Sequence, residues 1–259
     1  MKAHSRIAPL HLLFSLALLG SWTNAHAEQV YCQSPWLKPN GKIEGNINGG
    51  KGHFTIRIKQ VTKAAGNDCH ADLHIQAKAP IAGQQINGSG DFRLMVNSGG
   101  SILSGSFDSA GILGTVMRSV VTSRVNGYFL KPANIMTEQS GSLPAQTYRA
   151  DAQASMSLPS ALPISQVNVE NAFLQSAQRK IGKEQQIHTQ MGSMSCKPIT
   201  YTGTISSGQI QSTLISSGKS PRNKPITVTE WYCPEKGLTM KMDIKSGNSV
   251  YTVAVTHVN

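Results

Sequence analysis

Stretch after stretch of this 259-residue chain alternates apolar and polar side chains, one by one. In GHFTIRIKQ, Phe54, Ile56 and Ile58 alternate with Thr55, Arg57 and Lys59. In HADLHIQAK, Ala71, Leu73, Ile75 and Ala77 alternate with His70, Asp72, His74 and Gln76. In DFRLMVN, Phe92, Leu94 and Val96 stand against Arg93 and Met95. Successive side chains of a strand point to opposite faces, so each stretch reads as a strand with one buried face. NINGGKG, AAGNDC, INGSG and NSGGS lie between them and carry turn chemistry. The last eighty residues repeat the pattern in ITYTGTI, ITVTEWYC and LTMKMDIK, which predicts an antiparallel meander. Residues 112–125 are rich in β-branched side chains and run into Asn126-Gly127. That favours a strand and a hairpin over a helix.

One segment breaks the period. Val169, Ala172, Phe173, Ala177 and Ile181 fall on one helical face, with Asn168 able to cap the start and Gly182 to stop the end. An amphipathic helix is therefore expected over 169–181. The expected fold class is mainly β: antiparallel sheets, half-barrel or sandwich-like, with that one helix. The expected organisation is a signal peptide at 1–27, an N-terminal antiparallel β region at 28–153, and a Pro/Ser linker at 154–165. A helix plus antiparallel meander follows at 166–259.

The signal peptide is expected from Lys2 and Arg6, the apolar run at 10–19, and Ala25-His26-Ala27 before Glu28. The run is too short for a comfortable membrane span, which needs about 20 apolar residues. The expected location is the periplasm, with secretion as the alternative. Cys32, Cys69, Cys196 and Cys233 then meet an oxidising compartment, and an even count suggests two bridges. Four cysteines allow three connectivities. The local pairs Cys32–Cys69 and Cys196–Cys233 are favoured because each stays within one half of the chain at the same spacing.

The full chain carries a net charge of +11 from 24 basic and 13 acidic residues. Lys2 and Arg6 leave with the signal peptide and no acid does, so the mature chain keeps +9. The expected partner is a lipid, glycolipid or other anionic envelope component. Nucleic acid belongs to another compartment, and the basic residues are scattered. The densest basic loop is SGKSPRNKP, with Lys219, Arg222 and Lys224.

In the segment EWYC, strand geometry sends Trp231 and Cys233 to one face and Tyr232 to the other. Trp231 is then expected to pack near a disulfide, with Pro234 ending the strand and Gly237 permitting the return. EWYCPEKGLTMKM resembles the Trp-Tyr-x-Pro-x-x-Gly-Leu/Val signature of a family of uncharacterised periplasmic β-proteins. MGSMSCKPI resembles the same family's Ala-Gly-Thr-Phe-x-Cys-like strand start, with Met191 and Met194 in place of Ala and Phe. Such domains are similar to the open half-barrels of periplasmic lipoprotein carriers, where a curved sheet wraps an apolar ligand or a helix. The resemblance covers 191–247 and implies binding rather than reaction. It carries over no catalytic residue.

Candidate chemistry is sparse. In CHADLH, His70, Asp72 and His74 share one strand face and could ligate zinc or copper. At ordinary strand rise, however, the two histidines stand about 13 Å apart. GNINGGKG imitates a phosphate-binding loop, but Gly52 replaces the magnesium-binding Ser or Thr and a strand follows, so a hairpin turn is expected. No G-x-S-x-G elbow occurs. The expectation is a non-catalytic carrier without cofactor. Its ligand would be met by Phe173, Met240 and Met242 on the apolar side, and by Lys219, Arg222 and Lys224 at the head group. The alternatives are a structural or adhesive envelope protein without a cavity, and a metal protein built on CHADLH.

Overall fold

The computed structural model describes residues 32, 34–63, 68–81, 84–97, 100–110, 116–126, 141–157, 165–212, 215–219 and 223–259. The expected signal peptide and Arg222 lie outside that range. The strands are β1 (Lys42–Ile47), β2 (Gly52–Lys63), β3 (Cys69–Ile81), β4 (Gln84–Asn97), β5 (Gly100–Ala110) and β6 (Val116–Asn126). They continue with β7 (Gly141–Leu143), β8 (Thr147–Ser157), β9 (Ser165–Ser176), β10 (Arg179–Ile181), β11 (Gln185–Thr189) and β12 (Gly192–Ser206). The last are β13 (Gln209–Ser212), β14 (Ile215–Lys219), β15 (Asn223–Cys233), β16 (Leu238–Ser246) and β17 (Ser249–Val258).

Every pairing is antiparallel, and twelve of the strands close a ring. The order runs β1–β2–β3–β4–β5–β6–β8–β9–β12–β15–β16–β17 and returns to β1. The fold is thus a closed barrel, and the expected half-barrel is corrected. The closing contact is β1 with β17, Ile43 opposite Val258 and Gly45 opposite Val255. It joins residues more than 200 positions apart, a pairing no local pattern announces. Closure also removes the unpaired edges that an open sheet exposes. Short β7, β10, β11, β13 and β14 lean on the ring at β9 and β12.

Directly opposite residues share a face, so the register identifies the inside. Ile56 lies opposite Ile43 and Ile75, Leu73 opposite Ile58 and Phe92, and Leu94 opposite Leu103. Farther round, Val121 faces Ala152, Leu174 faces Tyr148, Tyr201 faces Val228, and Met242 faces Val253. The alternation read from GHFTIRIKQ, HADLHIQAK and DFRLMVN is therefore the alternation of barrel inside and outside. Ile58, Leu73, Leu94, Val96, Met240 and Val255 pack into one buried cluster, and Ile199, Tyr201, Ile226, Val228 and Tyr232 into another. Full burial of each aliphatic side chain is worth about 1.5–3 kcal/mol.

The outer face is charged. Arg93 pairs with Asp72 at 2.8 Å, His74 with Asp91 at 2.7 Å and Arg118 with Asp108 at 2.9 Å, each between directly opposite residues. A membrane barrel wears an apolar band outside. The outside of β2–β6 carries ion pairs instead and suits water.

The expected helix at 169–181 is absent: these residues form β9 and β10. The reason is a bulge. Asn171 adopts φ 57°, its N–H donates to Asp151 Oδ1 at 2.8 Å, and the register with β8 slips between Ala150 and Ala152. The inward phase therefore moves from Val167 and Val169 to Ala172 and Leu174. One phase slip in a strand gives apolar residues three apart, which imitates helical spacing. Residues 154–157, expected to begin a linker, continue β8.

Other expectations hold. Both local disulfides form, Cys32–Cys69 and Cys196–Cys233, each spanning 37 positions. Residues 116–126 are strand, and β15, β16 and β17 form the meander. The Gly-rich loop turns the chain between β1 and β2, with positive φ at Asn48, Gly49 and Gly50.

Candidate functional site

Residues 34–41 cross one end of the barrel. Leu37 N–H bonds to the Ser34 carbonyl, Asn40 N–H to the Ile58 carbonyl, and Trp36 Nε1 donates to the Gly237 carbonyl at 3.1 Å. Trp36 and Leu37 are buried, and the Cys32–Cys69 bridge ties the segment to the start of β3. The segment plugs the end where β3, β8 and β16 begin. Gly237 is needed for the fit: its φ is 60°, and a Cβ there would stand 2.6 Å from Pro35 Cδ.

Beneath the plug lies a cavity of about 320 Å³. Trp36 covers it, Tyr148 and Leu174 come from β8 and β9, Tyr201 from β12, and Glu230 and Tyr232 from β15. Leu238, Thr239 and Met242 of β16 complete the wall. Glu230 is 3% exposed and sits on the inward phase shared with Ile226, Val228 and Tyr232. Its Oε1 accepts from the Tyr201 hydroxyl at 2.8 Å and its Oε2 from the Thr239 hydroxyl at 3.3 Å. The Tyr148 hydroxyl donates to Gln146 Oε1 at 2.8 Å. The Tyr232 side chain is 3% exposed and lines the cavity, and its hydroxyl bonds to no described residue.

Two cations are also buried, Arg179 on β10 and Lys197 on β12. Arg179 Nε donates to the Pro144 carbonyl at 3.1 Å, and Lys197 stands opposite Tyr232 in the register. Neither lines the cavity. Burial, then the charge of Glu230, pushes the Tyr148 hydroxyl up to about 12, against a smaller opposing effect of Arg179. Burial first, and then Glu230, hold the Tyr201 hydroxyl far above the ordinary tyrosine value; burial alone raises that of Tyr232. All three phenols are protonated at neutral pH. The site offers hydroxyl groups, a carboxylate edge and aromatic faces.

The barrel does not fill its whole interior with large side chains. The wall made by β6, β8 and β9 presents Val121, Ala152, Ala154, Val167, Val169 and Ala172 inward, all half-buried. A second hollow, about 590 Å³, opens at the far end around Phe54, Ala77, Gly88 and Ser109, with His53 and Lys78 at its rim.

Of the residues expected to meet a ligand, Met242 lines the cavity. Met240 is buried in the neighbouring cluster, and Phe173 lies half-buried opposite Arg149 and Ser206, outside the lining. Lys224 is exposed on β15 opposite Ile205. Lys219 belongs to β14, and its side chain, like Arg222, lies outside the described part. Lys224 does not line the cavity. His70, Asp72 and His74 do share the outer face of β3, but Asp72 is taken by Arg93 and His74 by Asp91. The Arg93 guanidinium holds the Asp72 carboxyl below its ordinary range. Among the described residues no group of three candidate ligands could hold a metal ion. Trp231 packs with the cluster that contains Cys196 and Cys233, and Lys241 Nζ lies 4.6 Å over its ring. Tyr232 points the other way, into the cavity.

Trp36, Tyr148, Glu230 and Thr239 were not among the expected site residues. A signal existed for one of them: carried two residues past Val228, the alternation of ITVTEWYC puts a carboxylate on the buried phase.

No family model matches the chain, and no curated protein matches it significantly. Two solved structures resemble it. One is a Bacteroides fragilis protein, provisionally described as exported with a YmcC-like fold. It has 11% identity and a TM-score of 0.41, covering 86% of this chain and 96% of its own. The other is a Parabacteroides distasonis protein, provisionally described as a lipoprotein. It has 11% identity and a TM-score of 0.42, covering 89% and 99%. At such scores the likeness carries no argument about what this chain binds.

Proposed function

We propose that this chain is an exported, non-catalytic binding protein of the cell envelope, and that it holds a small ligand inside the barrel beneath Trp36. The observation that carries the reading is the hollow at the plugged end. A barrel whose role is only mechanical gains from filling its core, because each unfilled space forfeits packing energy. Here a cavity in the usual size range of small-molecule sites, about 300–1,000 Å³, coincides with a buried carboxylate, Glu230, and a largely buried tyrosine, Tyr232. The two disulfides and the signal-peptide pattern support export to an oxidising compartment, with the periplasm preferred over secretion. An anionic ligand, one of the sequence-based expectations, is not what this lining favours: among the described residues it holds a carboxylate and no Lys, Arg or His.

The test is native mass spectrometry of the mature protein from periplasm, before and after incubation with a low-molecular-mass envelope extract. The expected result is a stoichiometric small-molecule adduct, lost in a cavity-filling Met242→Trp variant that keeps both disulfides. An apo mass in both samples would overturn the reading and leave the structural or adhesive alternative. An adduct with the mass of zinc or copper would replace it with the metal alternative.

A further inference from the structure

We propose that a basic hollow on the outer face of the barrel, centred on Arg57, is a binding subsite for a phosphoryl group. It shares no lining residue with the cavity beneath Trp36, so it stands or falls independently of the binding reading above. The hollow measures about 620 Å³ and is lined by Lys42, Arg57, Lys59 and His74. Among the described residues no carboxylate side chain lines it.

The strand register makes this arrangement. Lys42 on β1 lies directly opposite Arg57 on β2, and Arg57 directly opposite His74 on β3, so basic side chains form one row across three strands. Opposed residues of a sheet stand about 4.5–5.5 Å apart at Cβ, and like charges there are destabilising. Farther round the same outer face the opposed residues are complementary: Asp72 meets Arg93, and Asp108 meets Arg118. The row at Arg57 departs from that rule, and an anion seated on it removes the repulsion. A bulge adds another cation. The register with β3 slips between Ile58 and Gln60, which leaves Lys59 as the extra residue, and its side chain joins the hollow.

The cations are not equally committed. Lys42 pairs with Glu44 at 2.6 Å, and Lys59 with Asp91 at 2.7 Å, where His74 Nδ1 also donates. Both pairs lie at the surface, where such a pair contributes little and exchanges readily. Arg57 forms no ion pair with a described carboxylate. Its guanidinium presents parallel N–H groups that fit two oxygens of a phosphoryl group. A phosphate monoester carries about 1.5 to 2 negative charges and three strong acceptor oxygens, enough to meet Arg57, Lys42 and His74 together. A carboxylate brings one charge and two oxygens. Backbone bonds hold the rim in place: Asn40 N–H donates to the Ile58 carbonyl at 2.9 Å, Ile58 N–H to the Gly41 carbonyl at 2.8 Å, and Asn259 N–H to the Lys42 carbonyl at 3.1 Å.

Isothermal titration calorimetry of the mature protein at low ionic strength tests this. The probes are inorganic phosphate and glycerol 3-phosphate, with acetate as the carboxylate comparator. The expected result is one site that takes both phosphates, with acetate clearly weaker. Arg57→Gln removes an exposed charge without touching the core, and should weaken phosphate binding about tenfold or more. Arg57→Lys keeps the charge but loses the fork, and should fall between. Lys245→Gln, at an exposed position of β16, lowers the net charge equally and should change binding by no more than about twofold, because a distant exposed charge is screened. Flotation with phosphatidylcholine vesicles, with and without phosphatidic acid, separates the sources. Flotation that needs both phosphatidic acid and Arg57, and that inorganic phosphate competes away, supports a lipid headgroup. Phosphate binding without flotation supports a soluble phosphate. No phosphate binding would overturn the proposal. So would equal binding in wild type and Arg57→Gln, an equal loss in Arg57→Gln and Lys245→Gln, or acetate binding as tight as phosphate.

Discussion

Glu230 and the tyrosines round it show how one residue off pattern reshapes a site. On β15 the inward phase runs Ile226, Val228, Glu230, Tyr232. An apolar residue at 230 would have completed an ordinary core. The carboxylate instead recruits hydroxyls from Tyr201 on β12 and Thr239 on β16, and its field raises the Tyr148 and Tyr201 phenols. A group whose pKa is raised by folding keeps its proton in the folded state. Its contribution to stability is complete below the unfolded value of 10.0 and is lost as pH climbs through the folded one, about 12 for Tyr148. Alkaline titration of phenolate absorbance should therefore leave Tyr148, Tyr201 and Tyr232 un-ionised well above pH 10, with stability to urea falling between 10 and 12. Ionisation of these three near 10, together with the exposed Tyr251, would contradict their burial.

At the scale of elements, β9 is the instructive strand. Its sequence reads as a helix because the bulge at Asn171 shifts the apolar phase in mid-strand. The bulge needs a left-handed residue, which Asn tolerates, and a partner for the freed N–H, which Asp151 supplies. Asn171→Gly should be close to neutral, because glycine adopts that conformation freely. Asn171→Val should cost about 1–2 kcal/mol in urea denaturation, the usual penalty of a left-handed backbone for a bulky residue. Equal stability of the two variants would show that the backbone there is not strained. The two long hairpins β2–β3 and β3–β4 were legible for the opposite reason: their alternation runs nearly unbroken, and ion pairs such as Arg93–Asp72 lock the same register from outside.

For the whole molecule, closure decides. β1 belongs to the first half of the chain and pairs with β17 of the second, while β8 pairs with β9 across the stretch expected to be a linker. One ring built from both halves should unfold as a unit. Calorimetry with the disulfides intact should give one transition whose van't Hoff and calorimetric enthalpies agree. Two resolved transitions would favour the expected two-region organisation. From its sequence alone, this protein's strand periodicity, its turns, its two local disulfides and the packing of Trp231 against one of them were already determined. These depend on neighbours within a hairpin or on side-chain alternation along one strand. The ring, the plug and the cavity were decided only in three dimensions. Ring closure joins Gly45 to Val255, the plug hangs Trp36 on Gly237, and the cavity gathers Tyr148, Tyr201 and Glu230 from separate strands. Such contacts arise from how sheet twist and strand number bring distant faces together, and no local pattern encodes that.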